Sequence, residues 1–277
     1  MFQTTEQNLT QHLKHDLGIQ PNDLVFLFSG IFGLGKLQNG LSTLENAISS
    51  VLPRGTLIVP TFSYSWSNGE SFDKNTPCPE MGSFSNYVLT LPNYHRTNNP
   101  NFSVSIREND FNSKLVKSFL DISNDCFGEG SIFDKVVRYA ENRRAWILLL
   151  GGAFKDAEYR STFIHYAQQK VGVMHRYVKT FHAPDNSNAQ VTQLVRCLSK
   201  DELVENKETS DMSKFKFPVE EDYRMYGKDL IKAGLLKKED FGYYPSRMVS
   251  VKDSVSFYMN KIKEDPYYCI DKNSLIT

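Results

Sequence analysis

A chain of 277 residues with 40% hydrophobic and 23% charged residues has the composition of a globular protein able to bury a sizeable core, not of a disordered segment. Its 32 Lys+Arg offset 32 Asp+Glu, and a formal net charge of zero excludes a sequence-independent nucleic-acid binder and weighs against a protein built to hold a polycation. Cys78, Cys126, Cys197 and Cys269 show no metal-ligand spacing, and no stretch reads as a signal peptide or a membrane span, so half-buried free thiols, no metal and a cytoplasmic, membrane-free setting are expected.

Taken in order, residues 3–17 place Leu9, Leu13 and Leu17 on one helical face, closed by Gly18. Asp23 to Phe28 is an apolar strand running into a glycine-rich turn, 29–35, whose G-x-x-G-x-G spacing matches neither phosphate-loop motif. A helix over Ser42 to Leu52 and a strand over Thr56 to Val59 complete a βαβ-like unit, which points to a parallel or mixed sheet. A long polar loop, 64–82, precedes a helix at Ser83 to Leu91, and a strand follows at Ser103 to Ile106. The next helix runs from Ser131 to about Glu141.

The run Trp146 to Leu150 reads as a strand buried on both faces, ended by Gly151-Gly152. Ser161-Thr162 is expected to cap a helix that starts at Phe163 and carries His165 near its first turn. An imidazole there, beyond the end of a buried strand, suits a base facing a cleft, and equally a histidine hydrogen-bonded in the core; the residues alone leave both readings open. His175 to Phe181 follows as a strand, and 183–217 as a polar insertion containing an edge strand at Gln190 to Leu198. A helix at Asp222 to Ala233, a strand at Tyr243 to Val251 and a helix at Val255 to Lys263 end the chain, read as one domain over 1–277. The aromatic content, 19 Phe and 14 Tyr, suits a self-association patch, hence a homo-oligomer, as well as a buried core.

Four stretches in order resemble the aminoglycoside 3-N-acetyltransferase family. Thr162-Phe163-Ile164-His165-Tyr166-Ala167 is similar to T-x-L-H-x-A-E, and Phe127-Gly128-Glu129-Gly130-Ser131 to F-G-x-x-S-P. Residues 55–62 resemble G-T-L-x-x-P-T-F, and 96–104 resemble R-S-x-H-P-x-x-S-V. The resemblance implies an α/β fold with a central mixed sheet flanked by helices, and acyl transfer from coenzyme A to an amine on a sugar. It implies His165 as base, with an orienting carboxylate three residues on, where this chain has Gln168. It also implicates Ser29 and Gly30, Thr61 as a donor to the thioester carbonyl, and Ser103 and Val104 in holding the coenzyme.

Three positions depart from the pattern: Gln168, Asn99 in place of a histidine, and Phe28-Ser29-Gly30 in place of H-S-S. With the zero net charge, these departures favour an acceptor other than an aminoglycoside. A nucleotide-linked amino sugar for surface-polysaccharide synthesis is the expectation, with Glu158, Arg160, Arg176, Lys179 and Arg247 as candidate substrate residues. An aminoglycoside-modifying enzyme is the alternative if Glu70, Asp73, Glu220, Glu221 and Asp222 form an acidic cleft. A non-catalytic binding relative of the same fold is the alternative from another class.

Overall fold

The computed structural model describes residues 1–152, 159–183, 190–202 and 214–276. In chain order the first strands are β1 (Gln3–Thr4), β2 (Leu24–Ser29), β3 (Lys36–Leu37), β4 (Thr56–Pro60), β5 (Tyr94–Arg96) and β6 (Val104–Arg107). They are followed by β7 (Ala145–Leu150), β8 (Arg176–His182), β9 (Gln190–Arg196), β10 (Lys237–Glu239) and β11 (Ser246–Ser250). The helices are α1 (Glu6–Gln11), α2 (Leu41–Val51), α3 (Gly82–Val88), α4 (Ser113–Leu120), α5 (Ile132–Ala140) and α6 (Phe163–Val171), then α7 (Arg224–Lys232) and α8 (Val251–Glu264).

Seven strands form one mixed sheet in the order β10-β11-β7-β2-β4-β6-β5. The apolar runs read from the sequence, β7, β2 and β4, are its parallel centre, and antiparallel pairs flank them on both sides. Burial on both faces is why these strands are continuous apolar runs instead of alternating ones. Leu24, Phe26, Ile58, Ile147 and Leu149 face one core with α5, α6 and α8, while Val25, Leu27, Val59, Leu148 and Leu150 face the other with α1 and α2. From β2 the chain crosses through α2 to β4 on one side. It later returns through α5, over the opposite face, to β7 on the other. The order therefore reverses at β2, and the crevice beyond the carboxyl end of such a strand is where open α/β sheets bind ligands.

Several expectations shift. The first helix is α-helical only to Gln11 and continues as a π turn from His12 to Asp16, where buried His12 bonds Asp16 at 2.8 Å and Ser246 at 2.9 Å. The last strand stops at Ser250, whose hydroxyl caps α8, so that helix starts at Val251 instead of Val255. Helix α4 and strand β5 carried no clear periodic signal and were not expected. All four cysteines are buried, not half-buried, and burial raises the Cys78 thiol to about 11 and Cys126 to about 12. Of the expected insertion, 184–189 and 203–213 lie outside the described residues; its strand, β9, pairs with β8 in a separate antiparallel ribbon.

Backbone segments approach so closely at the strand ends that side chains are excluded there. A Cβ added to Gly33 would overlap the Gly151 carbonyl, although the backbone conformation of Gly33 suits any residue. Gly33 O also accepts the Tyr243 amide at 2.7 Å. Gly33→Ala is expected to cost about 1–3 kcal/mol, the usual range for overpacking, read as a lower urea midpoint at unchanged m-value. A wild-type midpoint would mean that this packing is looser than the contact implies.

Candidate active site

His165 lies in the first turn of α6, a helix whose Phe163 packs against Phe26 of the sheet. The expected cap is not made: Thr162 occupies the N-cap position without a side-chain hydrogen bond, and Ser161 Oγ instead meets Tyr159 OH at 2.7 Å. The helix is held by its packing, with Phe163, Ile164 and Ala167 in the core. His165 keeps part of its surface open to solvent while its ring is packed edge-on to Phe127, with centroids 5.5 Å apart.

One turn on, fully buried Gln168 accepts the His165 Nδ1–H at 3.0 Å. The other end of the amide fixes this assignment. Gln168 Nε2 faces Glu221 Oε1 at 2.5 Å and Tyr258 OH at 3.0 Å, and an ionised carboxylate only accepts. The amide oxygen must then point to the imidazole, which carries its proton on Nδ1 and presents a lone pair at Nε2. Among the described residues Nε2 meets no hydrogen-bond partner.

The Glu221 side chain is buried and held by two side chains besides Gln168. Arg176 grips it with Nη2 on one oxygen and Nε on the other at 3.2 Å, and His175 Nε2 donates at 2.9 Å. Burial opposes its charge, but Arg176 and His175 hold the carboxyl well below the usual range, so it stays ionised. For His165, burial dominates and lowers the pKa to about 4; the charges of Arg176 and Arg160 lower it further, while Glu221 and the Gln168 bond pull it up. At neutral pH the ring is uncharged, the form that accepts a proton.

The remaining expected residues fall into separate groups. Ser29 and Gly30 sit half-buried at the carboxyl end of β2, where pairing with β4 has stopped at Phe26–Ile58 while pairing with β7 continues to Ser29–Leu150. Thr61 is fully buried: its carbonyl accepts Arg96 Nη2 at 2.5 Å and Ser103 Oγ at 2.6 Å, and its hydroxyl meets Ser105 Oγ at 3.4 Å. Ser103 spends its hydroxyl there, and Val104 points into the core. Asn99 is likewise engaged inside the fold, accepting the Phe102 amide at 3.0 Å and contacting Cys126 Sγ at 3.3 Å.

Of the expected substrate residues, Arg176 is consumed by Glu221, and Arg247 is buried on β11 opposite Leu149. Lys179 is exposed on β8 over the Phe181 ring, Arg160 is exposed over the Tyr223 ring at 5.7 Å, and Glu158 lies outside the described residues. The structure thus joins His165, Gln168 and Arg176, and adds Glu221, His175 and Tyr258, which sequence reasoning had not placed beside the histidine. Glu221 stood out only as part of an acidic run, and nothing local to it announces a partner in β8. Among the described residues no group of three or more His, Cys, Asp or Glu could hold a metal ion, and no helix is long and apolar enough to cross a membrane.

A family model described as aminoglycoside 3-N-acetyltransferase matches residues 27–263. Among solved structures, the chain is similar to the apoenzyme of aminoglycoside acetyltransferase AAC(3)-IVa, at 19% identity and TM-score 0.69 over 96% of this chain and 90% of that one. It is also similar to YokD protein from Bacillus subtilis, at 18% identity and TM-score 0.68 over 96% and 95%. A third neighbour is AAC-IIIb in a binary complex with CoASH, at 16% identity and TM-score 0.67 over 95% and 97%. No curated protein sequence matches the chain.

Because the folded pKa of His165 lies below its ordinary 6.5, the unfolded chain binds more protons than the folded one between pH 6.5 and about 4. Its contribution to stability is complete above 6.5 and is lost as pH falls through that window; His12, lowered chiefly by burial, acts in the same direction. Replacing His165 by Gln should flatten the slope of unfolding free energy against pH there by up to about 1.4 kcal/mol per pH unit. Urea titrations at half-unit pH steps read this, and an unaltered slope would mean that the ring is not desolvated.

Proposed function

The chain belongs to the aminoglycoside 3-N-acetyltransferase family, and from that premise we propose that it transfers an acyl group from a coenzyme A thioester to the amino group of a nucleotide-linked amino sugar, in surface-polysaccharide synthesis. The acyl group is acetyl or a short hydroxyacyl such as 3-hydroxybutyryl. The observation that carries the reading is the state of His165: uncharged, locked in one tautomer by Gln168, with Nε2 turned to no protein group among the described residues.

A thioester supplies an electrophilic carbonyl and a thiol leaving group. As the sugar amine attacks, His165 Nε2 takes its proton, and then delivers that proton to the departing sulfur. Gln168 keeps the ring aligned throughout. Ser29 and Gly30 fit the acyl donor by position, half-open at the reversal point of the sheet, with Phe32 beside them 83% exposed. Thr61, Ser103 and Val104 support that end of the sheet from beneath through Arg96 and the core.

Charge supports the choice of acceptor. Of the five carboxylates that could have formed an acidic cleft, Glu221 is bound to Arg176, Asp222 to Arg224 at 2.7 Å and Glu220 to Arg196 at 2.5 Å. Asp73 is turned into its own loop by Thr76 and Asn75. Three of the five are thus neutralised by arginines, and Arg160, over the Tyr223 ring, lies near enough for its charge to lower the His165 pKa.

Thiol release from acyl-CoA should be stimulated by dTDP- or UDP-linked amino sugars and not by kanamycin-like amines. His165→Ala should lower that rate about 100-fold or more, the usual share of a general base. Turnover of aminoglycosides alone would overturn the acceptor. A rate within a few-fold in His165→Ala would overturn the base, and no stimulation by any amine would favour a binding protein.

Arg160→Ala should raise KM for the nucleotide sugar roughly tenfold, as loss of a charge-assisted contact does, with KM for acyl-CoA unchanged. Equal KM values for the sugar in both enzymes would remove Arg160 from the acceptor site.

A further inference from the structure

The sequence pattern of this family calls for a carboxylate where the chain carries Gln168, yet a carboxylate is present one hydrogen bond further away. We propose that Glu221 is the positioning residue for His165, acting through the Gln168 amide, so that the carboxylate orienting the base has been moved from α6 to the segment ahead of α7. The inference rests on His165 being the base.

Three features carry it. The hydrogen bonds run unbroken from Nδ1 of His165 to Oε1 of Gln168 at 3.0 Å and from Nε2 of Gln168 to Oε1 of Glu221 at 2.5 Å. Glu221 is anchored from independent parts of the chain: Arg176 and His175 at the start of β8, and the C-terminal segment through a bridge between Glu221 and Ile270. The neighbouring Asp222 amide adds a bond to Cys269 O at 2.7 Å. Finally, the two positions are mutually exclusive for charge. A glutamate at 168 would set two carboxylates within hydrogen-bond distance in a buried site, where both cannot be ionised. With Glu221 in place, residue 168 must be neutral, donate on one side and accept on the other, and glutamine meets all three requirements.

The groups facing the pair are few. Gln168 and the Phe127 ring touch His165, with Arg160 and Arg176 acting on it through space. Glu221 is faced by Arg176 and His175 from β8 and its lead-in and by Gln168 from α6, with un-ionised Tyr223, Tyr258 and Cys269 near it, their ionisation opposed by burial and by the Glu221 charge. A carboxylate shifted from 221 to 168 would therefore act on the imidazole directly, in nearly the same surroundings.

The test is an exchange. Gln168→Met breaks the chain but leaves the Arg176–Glu221 pair intact; kcat should fall about tenfold with KM for acyl-CoA unchanged. Gln168→Glu should lose as much, and Glu221→Gln should do the same where it folds. The double exchange Q168E/E221Q restores one carboxylate and should recover kcat to within about threefold of wild type. It should also move the acid limb of kcat/KM upward, since the charge now touches the ring. A wild-type kcat in Gln168→Met, or a double exchange no better than the worse single, overturns the proposal. Should the double exchange fail to fold, Gln168→Met decides alone. Should His165→Ala also keep wild-type kcat, the base itself is wrong, a different failure from a broken relay.

Discussion

A carboxylate removed from water must be compensated, and Glu221 is the point where this chain meets that demand. Arg176, His175 and Gln168 all turn toward it, from the strand β8, its lead-in and the helix α6. Taken singly, such a buried pair is weak evidence for stability, because desolvating two charges costs about what their attraction returns. Its effect here is on geometry. With Arg176 and Glu221 locked together, the amide of Gln168 has one orientation, and that orientation dictates the tautomer of His165. Charge compensation around Glu221 thus fixes which imidazole nitrogen of His165 keeps its lone pair.

The sheet decides where that nitrogen can be used. Crossovers leave β2 to opposite faces, one through α2 and one through α5, so the loops beyond β2 diverge where open α/β sheets bind ligands. Ser29 and Gly30 lie half-buried at that strand end, and α6 packs Phe163 over the same face of the sheet that carries Phe26 and Leu149. The glycines at the strand ends let three backbone segments close up, where any side chain would push them apart.

What could be read from the sequence follows the range of the interactions. The parallel centre of the sheet was legible because burial on both faces leaves a continuous apolar run, as in 146–150. Helices with a strong one-sided pattern were legible too, though boundaries moved where side chains intervened, as with the Ser250 cap. The helix that carries His165 was legible through the sequence around it. The link from His165 to Glu221 was not, because Gln168 acquires meaning only beside Glu221, 53 residues away. Arg176 misled for the same reason: an arginine near the base reads as a substrate cation until its partner is visible, and the partner comes from a distant acidic run that reads as exposed.

For the base that we propose His165 to be, a low pKa can look like a poor choice, since burial and two arginines all oppose the imidazolium. The opposition also has a use. A ring with pKa about 4 takes no proton from water at neutral pH, so nearly every molecule has Nε2 free when the amine arrives. Besides the Nδ1 proton held on Gln168, the ring then carries only the substrate's proton at Nε2, for as long as the sulfur is leaving, and weak basicity favours giving it up. Glu221, acting against the arginines, favours the charged ring in that interval. An amide between them delivers this help at reduced strength, because a neutral group orients the imidazole without contributing a full charge at contact distance. A fast return of the proton and a modest gain in basicity are what an amine acceptor requires, since its attack generates the proton and its product must not retain it.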